Sequence, residues 1–264
     1  MKVIIAKDYD QMCSFAGHFV ARQIRQRPDL VLGLATGRTM VGLYKDLVER
    51  FRRDECSFAQ ATSFNLDEYV NLPESHPASF HSFMRWHFVE HVDIRPDRVH
   101  IPNGNGDRLL DAAQAHEDAI KAAGGIDLQI LGVGRNGHIA FNEPGSSLAS
   151  RTRIKRLSPE TILANADDFG GTANVPRYVI TAGVGTVMEA RLVVLLASGH
   201  AKARAIEALV EGPITAQCPA SILQMHPHAF VMVDEAAGIR LSGAYDHVEE
   251  VLADPYEEFF WENA

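Results

Sequence analysis

Leu30-Val31-Leu32-Gly33-Leu34-Ala35-Thr36-Gly37-Arg38-Thr39 decides the architecture. Its first six residues carry no polar side chain, and the run is bounded by Pro28-Asp29 before it and Thr36-Gly37 after it. An apolar run of that length, without alternation, reads as a central strand buried on both faces. Such strands belong to parallel sheets whose crossover helices cover both faces. From Met40 the pattern turns helical, so the stretch is a strand–loop–helix junction.

The same rhythm extends in both directions. Val3 to Ala6 reads as a strand, and Asp10 opens a helix whose Met12, Phe15, Phe19, Val20 and Ile24 recur at helical spacing. Further strands are expected at Ala61 to Leu66, Ile126 to Val133, Arg191 to Ala197 and Ala229 to Val233. Helices are expected at Met40 to Arg53, Ser79 to His91, Asp107 to Ala123 and Ala201 to Glu211, with Ser79 as an N-cap. The expectation is an α/β fold: a single Rossmann-like domain over residues 1–264, with a mostly parallel central sheet and helices on both faces. Glu143 to about Arg177 breaks the rhythm. It is polar, carries Arg151-Thr-Arg153-Ile-Lys155-Arg156 and includes Gly170-Gly171. A long irregular segment inside a compact domain is usually a binding loop or lid, here at about 145–178.

Composition narrows the function. With 264 residues and 46% apolar content the chain can bury a large core. A net charge of −9 argues against a general nucleic-acid binder, so any anion site must come from local groups. Cys13, Cys56 and Cys218 are sparse, odd in number and without metal-ligand spacing, which suits a reducing cytosol and buried core positions. The N-terminus turns polar at Lys7-Asp8 and reads as a strand, and no apolar run approaches a membrane span. A cytoplasmic protein is expected.

Four constellations carry chemistry. Thr36, Gly37, Arg38 and Thr39 lie between a buried strand and a helix, where backbone N–H groups and hydroxyls favour an anion; without a Lys-Ser/Thr ending this is not a Walker loop. The bland alternative is a tight turn capped by Thr. Phe64-Asn-Leu-Asp67-Glu68-Tyr69 ends another strand, where ligands of open α/β sheets gather, and Asp67 can serve as a base on a carbon acid or merely as a cap. The two neighbouring acids point in different directions, so only one need enter the cleft. Gly132-Val-Gly-Arg-Asn136-Gly-His138-Ile-Ala-Phe-Asn142-Glu143-Pro144 turns sharply after a strand. It offers a histidine able to take and return a proton, with a carboxylate to fix its tautomer. Finally, Lys202 starts a helix after Ser198-Gly199-His200, again an anion position, while Arg151 to Arg156 read from density alone as a solvated face.

These segments, with Ser146-Ser-Leu-Ala-Ser150-Arg-Thr-Arg153-Ile-Lys155, closely resemble the glucosamine-6-phosphate deaminase (isomerising) family from the first strand to about Tyr245. The resemblance implies an enzyme that converts glucosamine 6-phosphate and water into fructose 6-phosphate and ammonia, without metal or organic cofactor. It implies that His138 opens the sugar ring, Asp67 takes the C2 proton and Glu143 orients His138. Thr36, Gly37, Arg38, Thr39 and Lys202 would hold the phosphate. Ser146, Arg153 and Lys155, with Tyr245 from a neighbouring subunit, match an allosteric site for N-acetylglucosamine 6-phosphate in hexameric members.

Three positions depart from the family pattern. Asn136 replaces an aspartate beside the histidine; it can accept a hydrogen bond from the ring but supplies no charge. Asp167 falls, on an ungapped count, where a lid arginine meets the phosphate, and an acid there repels a dianion. Arg38 replaces a small residue and could supply the missing guanidinium from the loop. The competing readings are a different amino-sugar phosphate, a sugar-phosphate lactonase on the same fold, and a sugar-phosphate sensor.

Overall fold

The structure, a computed structural model, describes residues 1–254. In chain order it contains β1 (Lys2–Ala6), α1 (Tyr9–Gln26), β2 (Val31–Leu34), α2 (Arg38–Arg52), β3 (Thr62–Asn65), β4 (Asp67–Tyr69), α3 (Phe80–His87), β5 (Val99–His100), α4 (Leu109–Ala122) and β6 (Leu128–Gly132). There follow β7 (Arg153–Arg156), α5 (Pro159–Ala164), β8 (Tyr178–Thr181), α6 (Val184–Met188), β9 (Leu192–Ala197), α7 (Ala203–Val210), β10 (Ala229–Asp234), α8 (Glu235–Gly238), β11 (Asp246–His247) and α9 (Val248–Ala253).

Eight strands form a parallel sheet in the order β11-β1-β10-β9-β6-β2-β3-β5. All four residues of β2 are buried, as the opening run requires of a central strand. From β2 the chain moves outward through β3 to β5, then returns to β6 and runs the other way through β9 to β10. Right-handed crossovers in opposite directions place helices on opposite faces. They also leave a crevice where the direction reverses, between the carboxyl ends of β2 and β6. Both glycine-rich loops leave from that crevice.

The expected helix from Ser79 to His91 ends at His87. Ser79 does cap it, its Oγ accepting from the Ser82 N–H at 3.0 Å. The helix breaks at Phe88, whose ring is drawn into the core, 5.2 Å from Tyr44 and 5.0 Å from Phe58. Likewise Asp8, not Asp10, caps α1, its side chain accepting from the Gln11 N–H at 2.8 Å.

The larger correction concerns Glu143 to Arg177. The stretch is not irregular: β7, α5 and a 3-10 turn at Ala166–Phe169 lie within it. β7 pairs antiparallel with β8, and β8 with β4, in a second three-stranded sheet. That sheet has its own apolar cluster of Tyr69, Phe141, Leu157, Ile162, Phe169 and Val179, with Leu72 and Val175. Asp67 therefore opens a strand of the small sheet rather than trailing from β3.

Candidate active site

The loop after β2 turns at Gly37, whose φ of 104° is open to glycine and strained for other residues. Gly37 caps α2 without a side-chain bond, leaving the first N–H groups of that helix free for a ligand. The loop is pinned from behind by Tyr9. Its hydroxyl accepts from the Gly42 N–H at 2.8 Å and donates to the carbonyls of Thr39 (3.1 Å) and Arg38 (3.3 Å). Burial pushes that phenol up to about 12, so it stays a donor.

The loop after β6 lies across the crevice. Lys202 Nζ donates to the Val133 carbonyl at 2.7 Å, tying the start of α7 to the glycine-rich turn. Burial first, and then the charges of Arg135 and Arg38, depress the Lys202 ammonium. Arg38, Arg135 and Lys202 thus lie close enough to feel one another's charge. Arg135 was not singled out from the sequence; its place inside the motif was the available signal. Arg38 also faces an acid of the segment read as a lid, but that acid is Asp168, at 3.9 Å, rather than Asp167.

Within the turn, Gly134 is fixed by contact rather than by backbone angle. A Cβ there would fall 2.2 Å from Cε1 of His138. Ala140 adopts a φ of 50°, uncommon for alanine, between His138 and Glu143. His138 Nδ1 lies 3.6 Å from Glu143 Oε2, slightly beyond hydrogen-bond distance. Asn136 does not accept a hydrogen bond from the ring, which the sequence left open to it. Its amide donates to Glu143 Oε2 at 3.0 Å, and its oxygen accepts from the His138 backbone N–H at 3.2 Å. It braces the turn and the carboxylate. The other oxygen of Glu143 accepts from Ser158 Oγ at 3.0 Å and Thr161 Oγ1 at 2.5 Å. Burial pushes Glu143 up, but His138, Thr161 and Asn136 outweigh it and hold the carboxyl at about 2. Ser158 and Thr161, at the start of α5, were missed in the sequence. Asn142 is structural: its amide donates to the Ile139 and Ala182 carbonyls.

Asp67 is buried, with 6% exposure. Burial, then the charge of Glu68, pushes its carboxyl up to about 8, with Thr181 opposing. Thr181 pairs with Asp67 across β4 and β8, and its hydroxyl accepts from the Phe141 N–H at 3.1 Å. One threonine therefore ties the Asp67 strand to the His138 segment. A carboxyl near 8 and a histidine beside an ionised glutamate are suited to proton transfer on carbon and on oxygen respectively.

The four remaining expected residues are placed separately. Ser146 Oγ is buried without a partner among the described residues, as is one terminal nitrogen of Arg153. Burial depresses the Arg153 guanidinium. Lys155 lines a cavity of about 740 Å³ with Arg156, Ser158, Thr172, Arg177 and Glu143. Tyr245 donates to Glu211 at 2.7 Å, in the loop before β11. The three cysteines are free and buried. Among the described residues no helix is long and apolar enough to cross a membrane.

Known proteins resemble the chain over most of its length. Residues 8–232 match the family described as glucosamine-6-phosphate isomerases/6-phosphogluconolactonase. Glucosamine-6-phosphate deaminase 2 of Bacillus subtilis is 49% identical over 246 residues, covering 92% of this chain and 99% of that protein. The glucosamine-6-phosphate deaminase of Hahella chejuensis is 50% identical over 241 residues, covering 91% and 92%. A solved structure described as a monomeric glucosamine-6-phosphate deaminase superposes with a TM-score of 0.89 at 40% identity, covering 91% of this chain and all of that one. A 6-phosphogluconolactonase from Trypanosoma cruzi, at 20% identity and a TM-score of 0.74, shares the fold. The chain belongs to the glucosamine-6-phosphate isomerase/6-phosphogluconolactonase family, on its glucosamine-6-phosphate deaminase branch.

Proposed function

We propose that this chain converts glucosamine 6-phosphate and water into fructose 6-phosphate and ammonia, as one domain whose lid spans about 145–178. Buried Asp67, poised near 8 opposite Thr181, carries this reading. The phosphate sits on Thr36, Gly37, Arg38 and Thr39, with Lys202 and Arg135 across the crevice. His138 moves the anomeric hydroxyl proton to the ring oxygen and opens the pyranose, while ionised Glu143 stabilises the transient imidazolium. Asp67 then removes the C2 proton to give an enolamine and returns it at C1. The resulting ketimine takes up water and loses ammonia. No step calls on a metal or organic cofactor. A lactonase needs no base at C2 and a sensor needs no base at all, so Asp67 separates the three readings.

Asp67→Asn should abolish exchange of the C2 hydrogen in deuterated water while glucosamine 6-phosphate still binds. Ammonia release should fall by roughly two to four orders of magnitude. Retained exchange removes Asp67 from the role.

A cytosolic hexamer activated by N-acetylglucosamine 6-phosphate is the finer part of the reading. The unpartnered Ser146 hydroxyl and Arg153 guanidinium nitrogen, with Lys155 at the nearby cavity, support an anionic effector there. Tyr245 would serve the neighbouring subunit. Since one similar structure is described as monomeric, subunit mass is measured first. A hyperbolic rate curve that the effector leaves unchanged would count against activation.

A further inference from the structure

The glycine-rich turn that carries His138 is held from outside by a segment the proposed reaction does not use, Thr215 to Ser221. Within the turn, the Gly134 N–H donates to the His138 carbonyl at 2.8 Å and the Gly137 N–H to the Gly134 carbonyl at 3.0 Å. The peptide joining Gly137 to His138 is gripped on both edges. Its N–H donates to Asn136 Oδ1 at 3.2 Å, and its carbonyl accepts from the Ala220 N–H at 2.9 Å. Cys218 Sγ packs on the same peptide, since a Cβ on Gly137 would fall 2.5 Å from it. Just past Glu143, the Gly145 N–H donates to the Ala216 carbonyl at 2.7 Å, while the Ser146 N–H donates back to the Glu143 carbonyl at 3.0 Å. One short segment therefore bonds to the backbone on either side of His138 and Glu143.

We infer that the turn from Thr215 to Ser221 sets the separation of His138 from Glu143, and that Ser221 is the positioning residue that keeps the turn in shape. The inference rests on His138 being the group that opens the sugar ring. Ala216 and Ala220 make their contacts through the backbone alone, so the shape of the turn depends on what closes it. Ser221 is fully buried, and its hydroxyl serves both backbone groups of one residue. It accepts from the Thr215 N–H at 2.9 Å and donates to the Thr215 carbonyl at 3.2 Å. The Cys218 N–H adds a bond to the same carbonyl at 3.1 Å, and the Ser221 N–H donates to the Cys218 carbonyl at 2.8 Å. Without the hydroxyl, the Thr215 N–H loses its partner, and the turn must shift to find another. Any shift is passed through Ala220 to the Gly137–His138 peptide and through Ala216 to Gly145. Asp67 stands apart on β4, linked through Thr181 to Phe141 rather than to either gripped point. A loosened turn therefore disturbs proton transfer on oxygen before it disturbs proton transfer on carbon.

The test uses the full chain with glucosamine 6-phosphate and with the same sugar deuterated at C2. Ser221→Ala should lower kcat per folded molecule by about tenfold to a hundredfold, the scale of a misplacement of about 1 Å, while KM stays within about threefold. The C2 deuterium isotope effect on kcat should not rise, because the slowed step is ring opening and not abstraction at C2. Ser221→Cys, which keeps the size and a weak donor, should recover part of the loss. If Ser221→Ala does not fold, Cys218→Leu, which presses on Gly137, takes its place with the same expected readings. A purely structural role lowers Tm and leaves kcat per folded molecule unchanged, and that result overturns the inference. So does an isotope effect that rises, since the C2 step would then be the one disturbed. His138→Gln separates the inference from the reading beneath it. Retained kcat in that variant overturns the ring-opening role itself, whereas lost kcat there with full kcat in Ser221→Ala overturns only the positioning role.

Discussion

Replacing Thr161 by valine tests whether the start of α5 holds Glu143, the carboxylate proposed to serve His138. The Thr161 hydroxyl donates to Glu143 Oε1 at 2.5 Å and is buried with it. Glu143 sits at about 2 against an ordinary 4.5. At 1.36 kcal/mol per pH unit, that depression corresponds to about 3 kcal/mol of stability at neutral pH. A hydrogen bond to an ionised group is worth about 1.5–3 kcal/mol. Valine should therefore remove about 2 kcal/mol and let the carboxyl rise to roughly 3.5. Because the folded value is depressed, the stabilisation is complete above the unfolded value near 4.5 and disappears as pH falls through about 2. The gap between wild type and Thr161→Val should then be about 2 kcal/mol at pH 7 and about 1 kcal/mol at pH 3. Urea unfolding followed by circular dichroism at both pH values measures it, and Thr161→Ser should restore most of the loss. A gap of the same size at pH 7 and pH 3 would refute the reasoning, because valine would then be acting through packing and not through ionised Glu143. Catalysis at pH 7 should change by less than about tenfold, since Glu143 remains ionised in both proteins.

Three other outcomes follow from the geometry. Gly134→Ala places a methyl 2.2 Å from the His138 ring and should lower kcat by about a hundredfold with little change in Tm, by displacing the ring. Arg38→Gly should raise KM for the sugar phosphate about tenfold or more while kcat changes less; an unchanged KM means Arg38 serves only its contact with Asp168. Asp127 holds Arg27 at 2.7 Å, Arg191 at 2.8 Å and the Val31 N–H at 2.9 Å, beneath β2 and β6. Asp127→Ala should cost about 3 kcal/mol in denaturant unfolding, with kcat/KM retained in the folded fraction.

The parallel sheet was legible because its strands are buried on both faces, and a doubly buried strand shows itself as an unbroken apolar run. β2 and β9 obey that rule, and β6 and β10 depart from it only at Gln129 and at the terminal Asp234. The small sheet was not. Arg153-Ile-Lys-Arg156 reads as a solvated basic face, yet its backbone pairs with Tyr178 to Thr181. A strand held by antiparallel partners and a few apolar contacts leaves little periodic signature. The same limit hid the supporting residues of the site. Tyr9 reaches the loop at Arg38 from about thirty positions away, and His81 reaches Glu68 from thirteen. Neither contact has a local pattern to betray it.

The residues with chemical capacity were visible one by one: a histidine and a glutamate in a glycine-rich turn, an aspartate past a strand, a cation before a helix. Their roles were not. Asp67 and Glu143 are both carboxylates with nearly the same intrinsic acidity, and in the folded chain one stands at about 8 and the other at about 2. Burial acts upward on both. Glu68 adds a like charge beside the first, while His138, Thr161 and Asn136 surround the second with donors and positive charge. The sequence by itself determined which groups could carry protons. Only the tertiary structure, by choosing the neighbours each buried charge must live with, decided which one is held near 8, as the proposed base requires, and which one stays ionised.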